Sequence, residues 1–388
     1  MPQQLNDLSR SLVTLEQDAT LIAVIEMSQS SWLVGGIVPG VERQPLKKLT
    51  TDHHALLELL RRWRKEATKA GYAIKRIAVA YEAGRDGFWL ARWLRSHEIE
   101  AYVIHPSSVP VSREHRRAKT DRLDTELLKR AFLGWLRGEP KHCSMAAIPR
   151  IADEDARRPC RERENLVKEA TRLVNRMKAN LARLGIRGFR PHLAQAAREL
   201  ETLQTPDGAA VPANTSAELR RDMSRLRFVK QQIKEIERAR AEQLHGEHPE
   251  QRDAMVNLLT RVVGVGVETA DMLVQEVFSR KLRDRRAVAR YAGLTGAPDE
   301  SGNKRRERGL AKAGNARVRR GMIQLAWTHL LHQKGSPLTR WYRARTADSG
   351  GGRRKTMIVA LARKLLIALW RLVTTGEPSP GMQLRPAM

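Results

Sequence analysis

From residue 20 the chain reads as an apolar run "TLIAVIEM", a polar interruption "SQSS" and a second apolar run "WLVGGIV". Two short apolar runs around a polar turn predict a β-hairpin. A third strand is predicted near Leu46 to Leu49, after "PGVERQP". Leu56, Leu57, Leu60 and Trp63 then recur at helical spacing and predict a helix over 53–70. "KRIAVAYEA" is a strand ending at Glu82; a helix follows through Phe88, Leu90, Ala91 and Leu94; "AYVIHP" is a further strand, stopped by Pro106. Strands that first meander and then alternate with helices predict an α/β domain with a mixed sheet over residues 1–150.

Beyond about residue 160 the period changes. Leu166, Ala170, Leu173, Met177 and Leu184 follow a heptad-like spacing, and after the break "TPDGAAVPANTS" so do Met223, Leu226, Val229, Ile233 and Ile236. Two long helices joined by a loop predict an antiparallel arm or coiled coil over 151–250, serving as an interaction surface or a plain spacer. Residues 251–388 read as helical again, opening with "LLTRVVGVGVETADML". Gly264 and Gly266 flank a turn there, as in a helix-hairpin-helix that aims backbone N–H groups at a phosphate. A tight turn without a ligand reads equally from the same residues. The expected fold class is α/β followed by all-α.

Charge narrows the function. Among 388 residues, 71 Lys and Arg face 43 Asp and Glu, a net charge of +28, while 41% are hydrophobic, enough for real cores. So large an excess calls for a polyanion, and nucleic acid is the first partner to consider; a merely basic surface is the plain alternative. An aromatic content of 5% counts against a base-stacking single-strand binder. Cys143 and Cys160 sit in no CxxC frame, which argues against a disulfide framework or zinc site and for a reducing cytoplasm. No signal-peptide pattern and no long apolar run is seen, so a cytoplasmic, nucleoid-associated protein with no membrane partner is expected.

The candidate chemistry lies in "RAKTDRLDTELLKRAF". Asp121 and Asp124 fall three apart on one helix face, with Cβ atoms about 5–6 Å apart and with Lys119 and Arg122 among them. Exposed charge balance explains such a pair in isolation. Glu26, however, closes the apolar run "LIAVIE" and Glu82 closes "RIAVAYE", positions where a carboxylate needs a partner. If the two strands are neighbours, four carboxylates collect at one edge. Such a set suits two Mg2+ ions, or Mn2+, about 3.5–4 Å apart, the arrangement for in-line phosphoryl transfer. Further on, residues 301–320 carry eight Lys or Arg and one acid. The "DHH" at 52–54 reads as surface or capping, and Trp89, Trp93 and Trp135 fit helix faces of the first core.

The blocks "AVIEMS", "AYEAGRDGFWLARWL" and "KTDRLDTELL", followed by "GVGVETADMLVQEV" and "RYAGLTGAPDESGNKRRERGLAKAGNARVRRGMIQLAW", resemble the insertion-sequence one-ten transposases, including the one-one-one-one subgroup. The resemblance covers nearly the whole chain. It implies an RNase H-like (RuvC-like) first domain whose DEDD tetrad, here Glu26, Glu82, Asp121 and Asp124, is catalytic and binds metal. It implies a coiled-coil connector and a C-terminal domain in which Ser301 of "ESGNK" attacks a DNA phosphate to give a phosphoserine. A recombinase acting on donor and target DNA is implied, with a structured bridge RNA as guide. So is a homo-oligomer, a tetramer or dimer of dimers with composite sites. Lys119, Arg122, Lys304, Arg305, Arg306, Lys312, Asn315 and Arg317 are the candidate nucleic-acid contacts. Two positions depart from the family pattern. Glu26 stands where Asp is usual, moving the carboxylate by up to roughly 1.5 Å. Ala311 replaces the usual Ser or Thr before "KAGN". Two other readings remain open: a RuvC-like nuclease that uses water, with Ser301 structural, and a decayed protein that binds nucleic acid without cutting it.

Overall fold

The computed structural model describes residues 9–85, 87–109, 120–139, 142–246, 250–280, 282–301, 304–311, 313–347 and 351–386, and of residues 107, 298–301, 304–308 and 351 the backbone alone. The chain forms two compact units, Met1–Ile151 and Ala152–Met388.

The first unit is a five-stranded mixed sheet with helices on both faces. Its elements are β1 (Thr20–Met27), β2 (Trp32–Ile37), β3 (Leu46–Leu49), α1 (His53–Lys69), β4 (Arg76–Glu82), α2 (Trp89–Ser96), β5 (Glu100–Ile104) and α3 (Asp121–Leu136). The strand order is β3-β2-β1-β4-β5. The β1/β2 and β2/β3 pairs are antiparallel, and β1/β4 and β4/β5 are parallel. Burial on both faces explains why β1 and β4 read as continuous apolar runs. Leu21, Ala23, Ile25, Val79 and Tyr81 pack with residues of α1 and α2. Ile22, Val24, Ala78 and Ala80 pack with Leu128, Phe132 and Trp135 of α3. The pair Gly35-Gly36 in β2 permits close approach on both faces. A Cβ at Gly35 would lie 2.8 Å from the Thr125 methyl of α3, and one at Gly36 2.8 Å from the Trp63 ring of α1.

The second unit opens with α4 (Ile151–Asp155), α5 (Arg158–Ala182), α6 (Ala196–Glu201) and α7 (Ala213–Leu244). Helices α5 and α7 pack through Leu173, Met177, Leu181, Leu219, Met223, Leu226 and Val229. The ion pairs Arg163–Glu237 and Arg176–Asp222 and the hydrogen bond Asn180–Glu218 ascend one helix as they descend the other, so the two are antiparallel. Next come α8 (Gln251–Thr260), α9 (Val267–Leu273) with a π-helical turn Val274–Phe278, α10 (Arg285–Tyr291), β6 (Gly296–Ser301), β7 (Lys304–Leu310), α11 (Ala316–His332), α12 (Pro337–Thr346) and α13 (Gly351–Thr375). Their core includes Leu259, Val277, Met322, Ala326, Leu361, Leu366 and Leu369. Gly264, with φ +91°, makes the turn between α8 and α9.

One expectation needs correcting, because the later part of the chain is helical but not all-α. Strands β6 and β7 pair antiparallel with Asp299 opposite Arg306 and Glu300 opposite Arg305. Acidic positions directly facing basic ones favour such a pairing. The short α6 lies ahead of the break read at 205–216, in a stretch for which no element was expected, and α7 begins inside that break at Ala213. No helix among the described residues is long and apolar enough to cross a membrane.

Candidate active site

Strand pairing places the two sheet carboxylates side by side. Ile25 of β1 pairs with Tyr81 of β4, and the same parallel register carried one residue further sets Glu26 beside Glu82. Side chains alternate along a strand, so both share the face of Val24 and Ala80, which α3 covers. Thr125 of α3 sits over Gly35, the β2 partner of Val24, while the Trp135 carbonyl accepts from Ser11 N ahead of β1. Helix α3 therefore runs back along the sheet, and its first turn lies toward the end where β1 and β4 finish. That turn carries Asp121 and Asp124. Glu26 and Asp124 are half-buried, and Glu82 and Asp121 exposed.

Local chemistry fixes this turn. Thr120 caps α3, its hydroxyl accepting from Leu123 N at 3.3 Å. The buried Thr125 donates its hydroxyl to the Asp121 carbonyl at 2.7 Å. Carboxylates in a first helical turn are favoured by the partial positive charge there, a structural reason for Asp121 and Asp124 independent of any ion. Among the described residues no three His, Cys, Asp or Glu side chains stand close enough to hold an ion as they are. Carboxylate oxygens are the donor type that a hard divalent cation takes, so the chemistry of these four side chains fits such an ion although they are not gathered around one point.

The other expected residues fall in separate places. Ser301 ends β6, opposite Lys304 at the head of β7, with Arg305 and Arg306 next along that strand. The side chains of Ser301, Lys304, Arg305 and Arg306 lie outside what is described, as do Lys119 and Lys312 altogether. Arg122 is exposed on α3. Asn315 caps α11, accepting from Arg317 N at 3.0 Å and Val318 N at 3.3 Å, and donates to Glu276 at 3.1 Å. Arg317 pairs with Glu164 at 2.8 Å and approaches Glu276 at 4.0 Å. Glu276 is 2% exposed and also receives two hydrogen bonds from Arg161, at 2.9 and 3.2 Å. Burial alone would raise its carboxyl, but Arg161, then Arg157 and Arg317, hold it below the ordinary value. Asn315 and Arg317 are thus engaged inside their own unit. Asp52 caps α1, accepting from His54 N at 2.8 Å. Cys143 and Cys160 are free and buried, and burial pushes both thiols up to about 12.

Sequence patterning missed a cleft of about 820 Å³ in the second unit. Its floor includes Val265, Leu325, Leu365 and Leu369, and its lining contains Arg285, Arg286, Arg363, Lys364 and Arg371 but no carboxylate. None of these five cations forms an ion pair among the described residues, in contrast to the paired Arg161, Arg163, Arg240 and Arg317. The sequence carried only part of the signal: Arg363, Lys364 and Arg371 recur along one side of an apolar helix. Cations spread thinly through α13 stand out less than the dense run at 301–320.

Two family models match the chain, the first of them running across the boundary between the two units. Residues 42–186 match the family model of the DEDD transposases of IS110, described as Transposase, and residues 256–342 match the Transposase IS116/IS110/IS902 family. Glu82, Asp121, Asp124 and Ser301 fall inside these ranges, and Glu26 lies ahead of them. The chain is 38% identical over 372 residues, 93% of each chain, to a Sinorhizobium fredii protein that carries a transposase name, y4rJ. A Pseudomonas aeruginosa protein named as a family 20 transposase is 26% identical over 217 residues, 55% of this chain and 62% of its own. A second S. fredii protein with a transposase name, y4qE, is 25% identical over 294 residues, covering 68% and 64% respectively.

Proposed function

The chain belongs to the IS110 family of transposases and is a DNA transposase; from that premise we propose that it cuts and rejoins DNA strands with its acidic tetrad and Ser301. The observation that carries this reading is the β1/β4 register, which brings Glu26 and Glu82 to one strand-end edge under the α3 turn bearing Asp121 and Asp124. The strand order β3-β2-β1-β4-β5, with an antiparallel meander followed by parallel strands, supports an RNase H-like first domain.

The four carboxylates would hold Mg2+ or Mn2+, which supplies positive charge for the phosphoryl-transfer transition state and lowers the pKa of the attacking oxygen. Ser301 Oγ attacks the phosphorus, losing its proton to solvent. The Ser–O–P bond forms as the bond to the departing strand oxygen breaks, and that oxygen takes a proton from solvent and leaves as a hydroxyl. The phosphoserine keeps the phosphodiester energy, and a hydroxyl from another strand reverses the step to rejoin DNA. The cations lining the cleft hold phosphate backbone. A structured bridge RNA pairs with donor and target DNA and selects the site. A tetramer or dimer of dimers supplies tetrad and serine from different copies.

The test is strand exchange between a donor plasmid carrying the element ends and a target plasmid, with the flanking RNA and Mg2+. Wild type is expected to form joint molecules, and Asp124→Ala and Ser301→Ala to form none. Equal yield from Ser301→Ala would remove the serine from the mechanism.

A further inference from the structure

An aromatic strip on the first unit takes no part in the chemistry above. Trp89 opens α2 and is 38% exposed. Its ring lies 6.2 Å from that of Trp32, itself buried, and 5.6 Å edge-on from His53. His53 stands edge-on to Trp93 at 4.6 Å, and His54 edge-on to the same ring at 5.7 Å. His97 ends the strip 4.3 Å from Trp93, with its Nδ1 2.9 Å from the Trp93 carbonyl. Trp89, His54 and His97 are exposed, while His53 and Trp93 are half-buried.

Aromatic residues make up only 5% of the chain, yet three of its eight Trp and three of its eleven His meet here. Core packing accounts for Trp32. It does not account for an open Trp89 face flanked by further rings, because a side chain of that size gains most when fully buried. Position adds the second observation. Trp32 pairs with Met27 and Leu33 with Glu26, and β4 ends at Glu82 a short loop before Trp89. The strip therefore begins at the sheet end that carries Glu26 and Glu82, and it lies on the opposite face from α3.

We propose that this strip is a stacking platform for unpaired bases of the DNA strand held for cutting. Strands that exchange partners must be unpaired beside the break, and exposed rings bind bases of any sequence through their π faces. The choice of DNA rests on the reading of the tetrad as the DNA-cutting site; the stacking itself does not. The aromatic-poor composition that counts against stacking describes the chain average, whereas stacking needs only a local cluster.

The experiment measures binding by the full chain in EDTA, where no strand is cut, to fluorescein-labelled oligo-dT, oligo-U and a DNA duplex. Salt is raised until duplex binding is weak. Trp89→Ala is expected to weaken oligo-dT binding about tenfold and leave the duplex unchanged. Trp89→Phe should stay near wild type and Trp89→Leu should fall with Trp89→Ala. Strand cleavage by the same preparation in Mg2+ is read separately from oligo-dT binding in EDTA, so failure of the tetrad reading and failure of the platform give different results. Photocrosslinking with bromodeoxyuridine should label the peptide containing Trp89. Unchanged oligo-dT binding in Trp89→Ala, equal loss on duplex, rescue by Leu, or no crosslink at α2 would overturn the proposal. A larger loss for oligo-U would overturn the assignment to DNA.

Discussion

One absent β-carbon decides how near α3 comes to the sheet. At Gly35 an added Cβ would meet the Thr125 methyl at 2.8 Å, and Thr125 is the residue hydrogen-bonded to the Asp121 carbonyl. Gly35→Val should cost about 1–3 kcal/mol through overpacking, lower the melting temperature, and reduce strand cleavage further by moving the turn that carries Asp121 and Asp124. Thr125→Ser removes the clashing methyl and keeps the hydroxyl. In a double-mutant cycle it should recover most of the loss from Gly35→Ala; additivity of the two changes would contradict the close-approach account. The sheet acids were legible because a carboxylate closing an apolar strand is a conspicuous pattern, and pairing then set Glu26 beside Glu82. Trp89 was not legible, since a tryptophan at helical spacing reads as core until its exposure is known.

At the scale of elements, the second unit is tied together by buried polar groups whose partners lie far apart in sequence. Glu276, in the π-helical turn, gathers Arg161 from α5, Asn315 and Arg317. Glu276→Leu should destabilise by about 3 kcal/mol, the low end for breaking a buried pair because Arg161 remains 45% exposed. Urea unfolding measures this, and a change below about 1 kcal/mol would mean that the network is not structural. His329 gives a pH prediction. Its Nε2 lies 2.9 Å from Ser336 Oγ, which donates to Thr339 Oγ1 at 3.0 Å, and burial pushes the imidazole down from 6.5 to about 4. Between those values the unfolded chain takes up a proton that the folded chain refuses. Stability is therefore lost as pH falls, at up to about 1.4 kcal/mol per unit. His329→Asn should lack this component, so its deficit relative to wild type shrinks from pH 7 to pH 4.5; a constant deficit would contradict the assignment. Long helices were legible from apolar spacing. Hairpin β6–β7 was not, because "GAPDES" and "KRRERGL" show no alternation of apolar and polar positions. The Glu276 network was hidden because an acid in "MLVQEVF" looks like a surface residue until Arg161 is packed against it.

For the whole molecule, a charge of +28 makes binding to DNA a salt-dependent equilibrium. Arg285→Ala with Arg286→Ala should lower the slope of log affinity against log salt by about two, if both hold phosphates. An unchanged slope would place the backbone elsewhere. Composition made the polyanion partner legible; the cleft was not, since it forms only when α10, α13 and the chain near Gly381 come together. The central claim is that the tetrad and Ser301 serve one reaction. It is tested most directly by incubating the protein, its flanking RNA and end-labelled element DNA with Mg2+, then denaturing the mixture and resolving protein from DNA. A labelled protein–DNA adduct is predicted for wild type and for Glu26→Asp, and none for Asp121→Ala or Ser301→Ala. Cleavage to free hydroxyl and phosphate ends with no adduct would contradict the claim and make the protein a nuclease that uses water.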